Sequence, residues 1–197
     1  MRLGLRPSEA LGLSWGSVDL DAGTLRVVEK LVTPVKGAGD PYLEAPKSKA
    51  GVRMLALSPA LVVILRKHLA EQEAEQAKAE DAWRDNGLVF CDAYGRALRG
   101  DSLNHTFHRL TEAAGLPTIR LYDLRRLAAA LVLAATSGDL AEAKAQLGHS
   151  SITLAADTYG YRLTEQAAKT AKKVGDLLSG VTDAPLEYPL EPARTTR

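Results

Sequence analysis

The stretch IRLYDLRRLAAALVLAA, residues 119–135, decides how the rest of the chain is interpreted. Leu124, Leu127 and Leu131, with Ala128 and Ala135, have the i, i+3, i+4, i+7 spacing of a buried helix, and Asp123 is the predicted N-cap. Arg125 then falls in the first turn, where free N–H groups and the helix dipole favour a bound anion. A guanidinium donates two parallel hydrogen bonds to phosphate oxygens, so the stretch predicts half of a phosphate site. The alternative is that Arg125 and Arg126 are solvated charges at a helix end.

Composition predicts one cytoplasmic domain without a bound metal or cofactor. The chain has 197 residues, 46% of them hydrophobic, which suits one domain with a real core and a tail. Cys91 is the only cysteine, so the chain has no internal disulfide and suits a reducing compartment. The sequence lacks a bilayer-spanning apolar run and a signal-peptide pattern at its start. His105 and His108 lie three residues apart but lack a carboxylate partner in the pattern, so we do not expect a metal there.

Charge is segregated along the chain although the net charge is only +1. Residues 71–85 contain six acidic side chains against Lys78 and Arg84. Residues 44–67 instead contain five basic side chains against one glutamate. A basic face can therefore meet a polyanion even though the total charge is close to zero.

The opening stretch MRLGLRPSEALGLSW predicts a short buried helix. Arg6 stands at its cap, Pro7 at its first position, where the missing N–H costs nothing, and Glu9 in its first turn. Leu3 and Leu5 are apolar and have no upstream element to cover them. We therefore expect the chain to be truncated at its N-terminus.

The remaining patterns predict a mainly α fold with a small antiparallel β-sheet. We expect strands at 24–32 and 87–90, and a turn at 48–51 between extended segments, with Lys49 near a hairpin tip. Periodicity predicts helices at 59–80, 101–117, 139–147, 151–159 and 164–178. The domain would then span residues 1–178, and residues 179–197, with three prolines and no periodicity, would form a flexible tail.

Separated motifs occur in a specific order. They are Arg6 in GLRPSEALGL, Lys49 in PKSKAGVR, Tyr122 and Arg125 in YDLRR, His149 in LGHSSIT, and Tyr159 in ADTYGY. In this order the chain resembles the catalytic domain of the phage-integrase family of tyrosine recombinases, from about residue 3 to residue 163. Each motif alone is weak, whereas the ordered set is specific.

The resemblance implies a catalytic role for each of these residues. Arg6 and Arg125 would clamp the scissile phosphate, and His149 would hydrogen-bond to it. Lys49 would protonate the departing 5′ oxygen, and Tyr159 would attack to form a 3′-phosphotyrosyl link to DNA. The residue types suit this chemistry, because two guanidiniums stabilise phosphoryl charge and a covalent ester conserves the energy of the broken bond.

Some of these assignments have competitors. Tyr161 competes with Tyr159, which we favour because it occupies the D-T-Y position, and Lys47 competes with Lys49, which matches the family's turn. His149 can alternatively serve as a packing or capping residue. In the family's His-x-x-Arg-His block, Tyr122 and Arg126 replace the two histidines, and a phenol is a poor base at neutral pH. The family's first catalytic-domain helix and its upstream core-binding domain are also missing.

The resemblance implies site-specific DNA recombination or integration, with double-stranded DNA as the partner rather than a small molecule or a membrane. In the full-length form we expect a homotetramer on DNA, since the family exchanges C-terminal helices between protomers. One alternative is a truncated, catalytically weak remnant that binds DNA or a partner recombinase without cutting. Another is a helix-turn-helix regulator, which would explain short helices but not the ordered motifs.

Overall fold

The expected mainly helical fold is confirmed. The computed structural model describes residues 3–35, 39–46 and 49–148. Its helices are α1 (Pro7–Leu11), α2 (Pro59–Ala79), α3 (Gly100–Ala113), α4 (Asp123–Ala135) and α5 (Leu140–Leu147). Its strands are β1 (Val18–Asp19), β2 (Thr24–Val27), β3 (Lys30–Val32), β4 (Tyr42–Glu44) and β5 (Arg53–Ala56). Short 3-10 helices lie at Trp15–Ser17, Lys49–Gly51 and Glu80–Ala82.

The strands form two small antiparallel sheets. One has the order β1-β2-β5, with Leu25 opposite Leu55 and Val27 opposite Arg53. The other pairs β3 with β4. The first sheet buries one face, and its leucines and valines form a core with α2 and the segment around Val89.

The single strand predicted at 24–32 is wrong, because the structure divides it into β2 and β3. β2 pairs with β5 as far as Val27, which lies opposite Arg53 at the start of β5. Residues after Val27 lie beyond the start of β5. The chain continues there into β3, which pairs with β4. The turn at Lys49–Gly51 is confirmed as a 3-10 helix, but the strands on either side of it belong to different sheets. Lys49 is therefore not at a hairpin tip.

The strand predicted at 87–90 is also wrong, since the described structure contains only an isolated bridge from Ser14 to Leu88 there. Side chains on α2 bind this segment instead. His68 Nε2 lies 2.7 Å from the carbonyl oxygen of Val89, and Gln72 donates to the carbonyls of Leu88 and Val89 at 3.3 Å. These polar groups satisfy the backbone of a buried segment that lacks a full ladder.

The helix predicted around Arg125 forms, but its cap and buried face differ from expectation. Asp123 is the first helical residue, and Tyr122 occupies the N-cap. The fully buried positions are Arg125, Ala128, Ala129 and Leu133, whereas Ala135 is exposed. Arg125 thus lies on the inward face, where its charge requires protein partners.

The other predicted helices need small corrections or lie outside the described residues. α3 begins at Gly100 and ends at Ala113, four residues before the predicted end at Pro117. The helix predicted at 139–147 forms as α5, with Asp139 as the N-cap that accepts hydrogen bonds from the N–H groups of Ala141 and Glu142. The helices predicted at 151–159 and 164–178, and the tail at 179–197, lie outside the described residues.

The helices that the structure describes include none that is both long and apolar enough to cross a membrane.

Gly12 allows the end of α1 to pack directly on β3, which suggests a stability test. A Cβ on Gly12 would lie 2.6 Å from the backbone nitrogen of Leu31 and 2.8 Å from Cα of Lys30. Gly12→Ala should lower the free energy of unfolding by about 1–3 kcal/mol, as expected for overpacking against backbone. Gly16→Ala is the matched control, because a Cβ on Gly16 meets nothing within 4 Å. Equal midpoints of the two variants in urea unfolding would contradict this packing.

Candidate active site

The structure describes three predicted site residues in full, namely Arg6, Tyr122 and Arg125. Lys49 is described only as the first residue of a 3-10 helix. His149, Tyr159 and the competitors Lys47 and Tyr161 lie outside the described residues. The described part of the site therefore consists of the arginines and the backbone around them.

Arg6 occupies the predicted N-cap of α1, and Glu9 folds back onto it. The backbone N–H of Arg6 donates to Glu9 Oε2 at 2.9 Å, and its Nη1 donates to Oε1 at 2.5 Å. A carboxylate three residues after the cap is well placed for this contact, which satisfies a backbone donor at the helix end. The side chain of Arg6 remains 36% exposed, so it is open to a ligand in solution.

Glu9 also brings arginines from two other elements to the same carboxylate. Arg53, at the start of β5, donates through Nη2 to Glu9 Oε2 at 2.9 Å, and Arg125 Nη1 lies 3.9 Å from that oxygen. Glu9, Arg53 and Arg125 are all at most 6% exposed in their side chains. Burial alone would raise the pKa of Glu9, but hydrogen bonds from Arg53 and Arg6 outweigh it and hold the pKa below its ordinary value.

Arg125 is bound on both sides by backbone carbonyls. Its Nη1 donates to the carbonyl oxygen of Gly4 and its Nη2 to that of Leu147, each at 2.5 Å. The interpretation of Arg125 as a solvated charge is therefore wrong. It does fit Arg126, which is 53% exposed and lies 3.5 Å from the Asp123 carboxylate.

The C-terminal end of α5 meets all three arginines. Its last four carbonyl groups lack helical partners of their own, as at any helix end. The N–H of Gly148 donates to the carbonyl groups of Lys144 and Ala145. Arg53 Nε donates to the carbonyl oxygen of Gln146 at 2.9 Å, and Arg125 donates to the carbonyl oxygen of Leu147. Arg6 adds a longer bond of 3.4 Å to the carbonyl of Gly148, the residue before His149 in the sequence.

Tyr122 lies at the N-cap of α4 and is 44% exposed. The next residue, Asp123, accepts hydrogen bonds from the backbone and side chain of Arg120, which lower the pKa of its carboxyl group. The phenol is therefore accessible beside a surface ion pair, as a residue that contacts a substrate must be.

Sequence reasoning missed the roles of Glu9 and Arg53, although both left a signal. A glutamate three residues after a helix cap indicates a capping box. On β5, Arg53 shares the side of the strand with the buried Leu55, since side chains alternate between the two faces. An arginine in a buried register predicts a partner carboxylate.

The described residues contain no group of three or more histidine, cysteine, aspartate or glutamate side chains suited to a metal ion. The predicted histidine pair at 105 and 108 lies on α3, with both side chains exposed.

Comparison with known proteins identifies relatives over most of the chain. Residues 1–165 match the sequence profile of the phage integrase family. A tyrosine recombinase XerC-like protein of Caldanaerobacter subterraneus is 27% identical over 183 residues, which are 88% of this chain and 46% of that protein. An integrase of Streptomyces ambofaciens is 27% identical over 165 residues, covering 79% of this chain and 41% of that protein.

Solved structures share the fold. The Tn1549 transposon integrase, in complex with circular intermediate DNA, superposes with a TM-score of 0.66 at 21% identity, over 87% of this chain and 56% of that one. XerA recombinase gives a TM-score of 0.62 at 20% identity, over 88% of this chain and 54% of that one. The chain thus spans about half the length of these proteins, or less. Its profile match and its fold together show that it belongs to the phage integrase family, as a tyrosine recombinase catalytic domain.

Proposed function

We propose that this chain cleaves and rejoins double-stranded DNA at specific sites through a 3′-phosphotyrosyl intermediate. The observation that carries the proposal is the group of Arg6, Arg53 and Arg125 around one buried carboxylate. This group lies where the motifs GLRPSEALGL and YDLRR meet the end of α5 at Leu147 and Gly148. Relatives named tyrosine recombinase and integrase support the same chemistry.

The charge balance of this group favours an anion. Three guanidiniums face one carboxylate, which leaves an excess of two positive charges. A phosphodiester carries one negative charge, and more negative charge develops on its oxygens in the transition state. Cations that are already held in place by the protein stabilise that charge without having to reorganise.

We assign different roles in stabilising the phosphate charge to Arg6 and Arg125, the two arginines predicted from the motifs. Arg6 is the more exposed and contacts a non-bridging phosphate oxygen. Arg125 is 1% exposed, so its charge acts in an environment that screens it weakly. Both contributions require Glu9 to remain ionised, since a neutral Glu9 would leave buried cations uncompensated.

The remaining assignments follow from the resemblance. The phenolic oxygen of Tyr159 gives up its proton to solvent water and attacks phosphorus, and the bond from phosphorus to the 5′ oxygen breaks. Lys49 supplies a proton to that oxygen, while His149 and Tyr122 donate hydrogen bonds to the phosphate. Attack by a 5′-hydroxyl reverses these steps and rejoins the strand without a nucleotide cofactor.

Assembly and location are part of the same proposal. Recombination joins two duplexes and requires four strand cleavages, so we propose that the full-length protein acts as a homotetramer on DNA. Because the proposed substrate is cellular DNA, we propose that the protein acts in the cytoplasm. The Tn1549 integrase bound to circular intermediate DNA supports the choice of duplex DNA as the partner.

The lowered pKa of Glu9 predicts how the stability of the domain depends on pH. Because the folded pKa lies below the unfolded value of about 4.3, the ion pairs contribute fully above that value and are lost as pH falls through the folded pKa. Glu9→Gln should therefore cost about 3–5 kcal/mol of unfolding free energy at pH 7, as expected for breaking a buried pair. The difference from wild type should shrink below about pH 4.

Glu44→Gln is the matched control for this measurement. Glu44 pairs with Lys30 at 2.7 Å but is 47% exposed, and exposed pairs contribute about 0–1 kcal/mol. Urea unfolding of both variants across pH 3–8 measures the difference. A penalty for Glu9→Gln that stays constant down to pH 3 would contradict the assignment of an ionised Glu9.

The nucleophile assignment predicts opposite results for two neighbouring tyrosines. Tyr159→Phe should abolish the covalent adduct with a nicked suicide duplex, whereas Tyr161→Phe should leave it intact. The duplex sequence is chosen by rounds of selection for retention by the wild-type chain. Denaturing electrophoresis detects the adduct, and retention of DNA by both variants shows that binding is preserved. An adduct that survives in Tyr159→Phe disproves the assignment.

The position of Tyr122 predicts a gain of activity. If the phenol stands where the family keeps an acid/base histidine, Tyr122→His should accelerate cleavage, by at most the roughly 10² to 10⁴ that positioned proton transfer supplies. The gain should be greatest near neutral pH, where imidazole exchanges protons and phenol does not. Single-turnover rates at saturating duplex measure it, with Tyr94→His as a control on an exposed tyrosine outside the site. Equal or slower cleavage by Tyr122→His would show either that the phenol is itself a working substitute or that Tyr122 lies outside the site.

A further inference from the structure

Arg53 adds charge to the arginine group, but the proposed reaction gives its buried side chain no contact with the phosphate. It is the first residue of β5, lies opposite Val27 on β2, and its side chain is 6% exposed. Arg6, by contrast, is 36% exposed. Burying a guanidinium costs free energy unless its N–H donors are paired. The partners of Arg53 therefore indicate its role.

Those partners lie on three separate pieces of the chain. Nε donates to the carbonyl of Gln146 at the end of α5, at 2.9 Å. Nη1 donates to the carbonyl of Gly51 in the 3-10 helix that begins at Lys49, at 3.1 Å. Nη2 donates to Glu9, at 2.9 Å, and Glu9 in turn holds Arg6. One side chain therefore connects the segments that carry Arg6, Lys49 and the residues leading to His149.

The packing of Gly148 gives independent evidence that this contact is close. Gly148 has φ +65°, and a Cβ there would lie 2.8 Å from Arg53 Nη1 and 2.7 Å from the carbonyl oxygen of Ala50. Only glycine fits both the backbone conformation and the space. The end of α5 is thus pressed against Arg53 and against the turn that follows Lys49.

We propose that Arg53 is a positioning residue for DNA cleavage, which sets the spacing between Arg6, the turn that begins at Lys49 and the C-terminal end of α5. This proposal rests on the proposed function. The planar fork of an arginine is essential to it, because one flexible ammonium group cannot hold three acceptors that lie in different directions. Charge alone is therefore insufficient at this position.

Arg53→Lys tests the proposal, because it keeps the charge and removes the fork. At saturating nicked duplex, we expect the single-turnover cleavage rate to fall about 10²-fold, the scale of a 1 Å misplacement of reacting groups. The dissociation constant for the same duplex should change less than about twofold, because a buried side chain does not contact DNA. Arg26→Lys is the matched control, since Arg26 is an exposed arginine on the adjacent strand β2.

A second measurement does not depend on activity. The amide of Gly148 donates to the carbonyl of Lys144 at 2.9 Å, so its hydrogen exchange reports the order of the end of α5. Exchange at Gly148 should be at least about tenfold faster in Arg53→Lys than in wild type, and unchanged in Arg26→Lys. Arg53→Gln, which removes the charge and the fork together, serves as a second variant for this measurement.

The outcomes separate the two proposals. A wild-type chain that forms no adduct refutes the proposed function, while the exchange rate at Gly148 still tests the positioning role. Unchanged exchange in both Arg53 variants overturns the positioning role. Cleavage at the wild-type rate by Arg53→Lys overturns it as well. A parallel loss of cleavage and DNA affinity would show instead that Arg53 contacts DNA.

Discussion

The buried carboxylate of Glu9 is the constraint on which the site depends. Removing an ionised carboxylate from water costs several kcal/mol, and only partners with good geometry offset that cost. Here the partners come from three elements that are distant in sequence, since Arg6 caps α1, Arg53 begins β5 and Arg125 lies on α4. The ionised state of Glu9 therefore requires α1, β5 and α4 to pack together.

The C-terminal end of α5 complements this carboxylate. A helix ends with unpaired carbonyl groups and the negative end of its dipole, and cations stabilise both. Arg53 and Arg125 bind the last two carbonyls of α5, at Gln146 and Leu147. Guanidiniums that would repel one another are thus held close together by a carboxylate and a helix end.

This arrangement supports the proposed binding of a phosphate by Arg6 and Arg125. The cations are already oriented by buried hydrogen bonds, so binding an anion requires little further ordering. Arg6 is the member of the group that reaches solvent, and the turn at Lys49–Gly51 joins the group through the bond from Arg53 to Gly51. β5 starts at Arg53, with only Val52 between it and that turn.

Local features of the fold were predictable from the sequence. The start of α1 with Arg6 as cap and Pro7 as first residue, the start of α2 at Pro59 and the helix predicted at 139–147 all appear as expected. Each depends on residues within a few positions of one another, which is the range over which capping and periodicity act. The predicted strand at 87–90 failed because its backbone is satisfied partly by the backbone of Leu13 and Trp15 and partly by side chains from α2, and no local pattern records that.

The sequence by itself determined the order of the motifs, and with it the family. Each motif is a short run of residues, and its chemistry can be inferred from the residue types without a structure. Only the tertiary structure decided that Arg125 turns inward and that Glu9 and Arg53 join it. Arg53 and Glu9 are 44 residues apart, and Arg125 and Gly4 are 121 apart. The partner of a buried charge is the group that tertiary packing places beside it. Contacts between residues so far apart in sequence depend on how whole helices and strands pack, not on local periodicity.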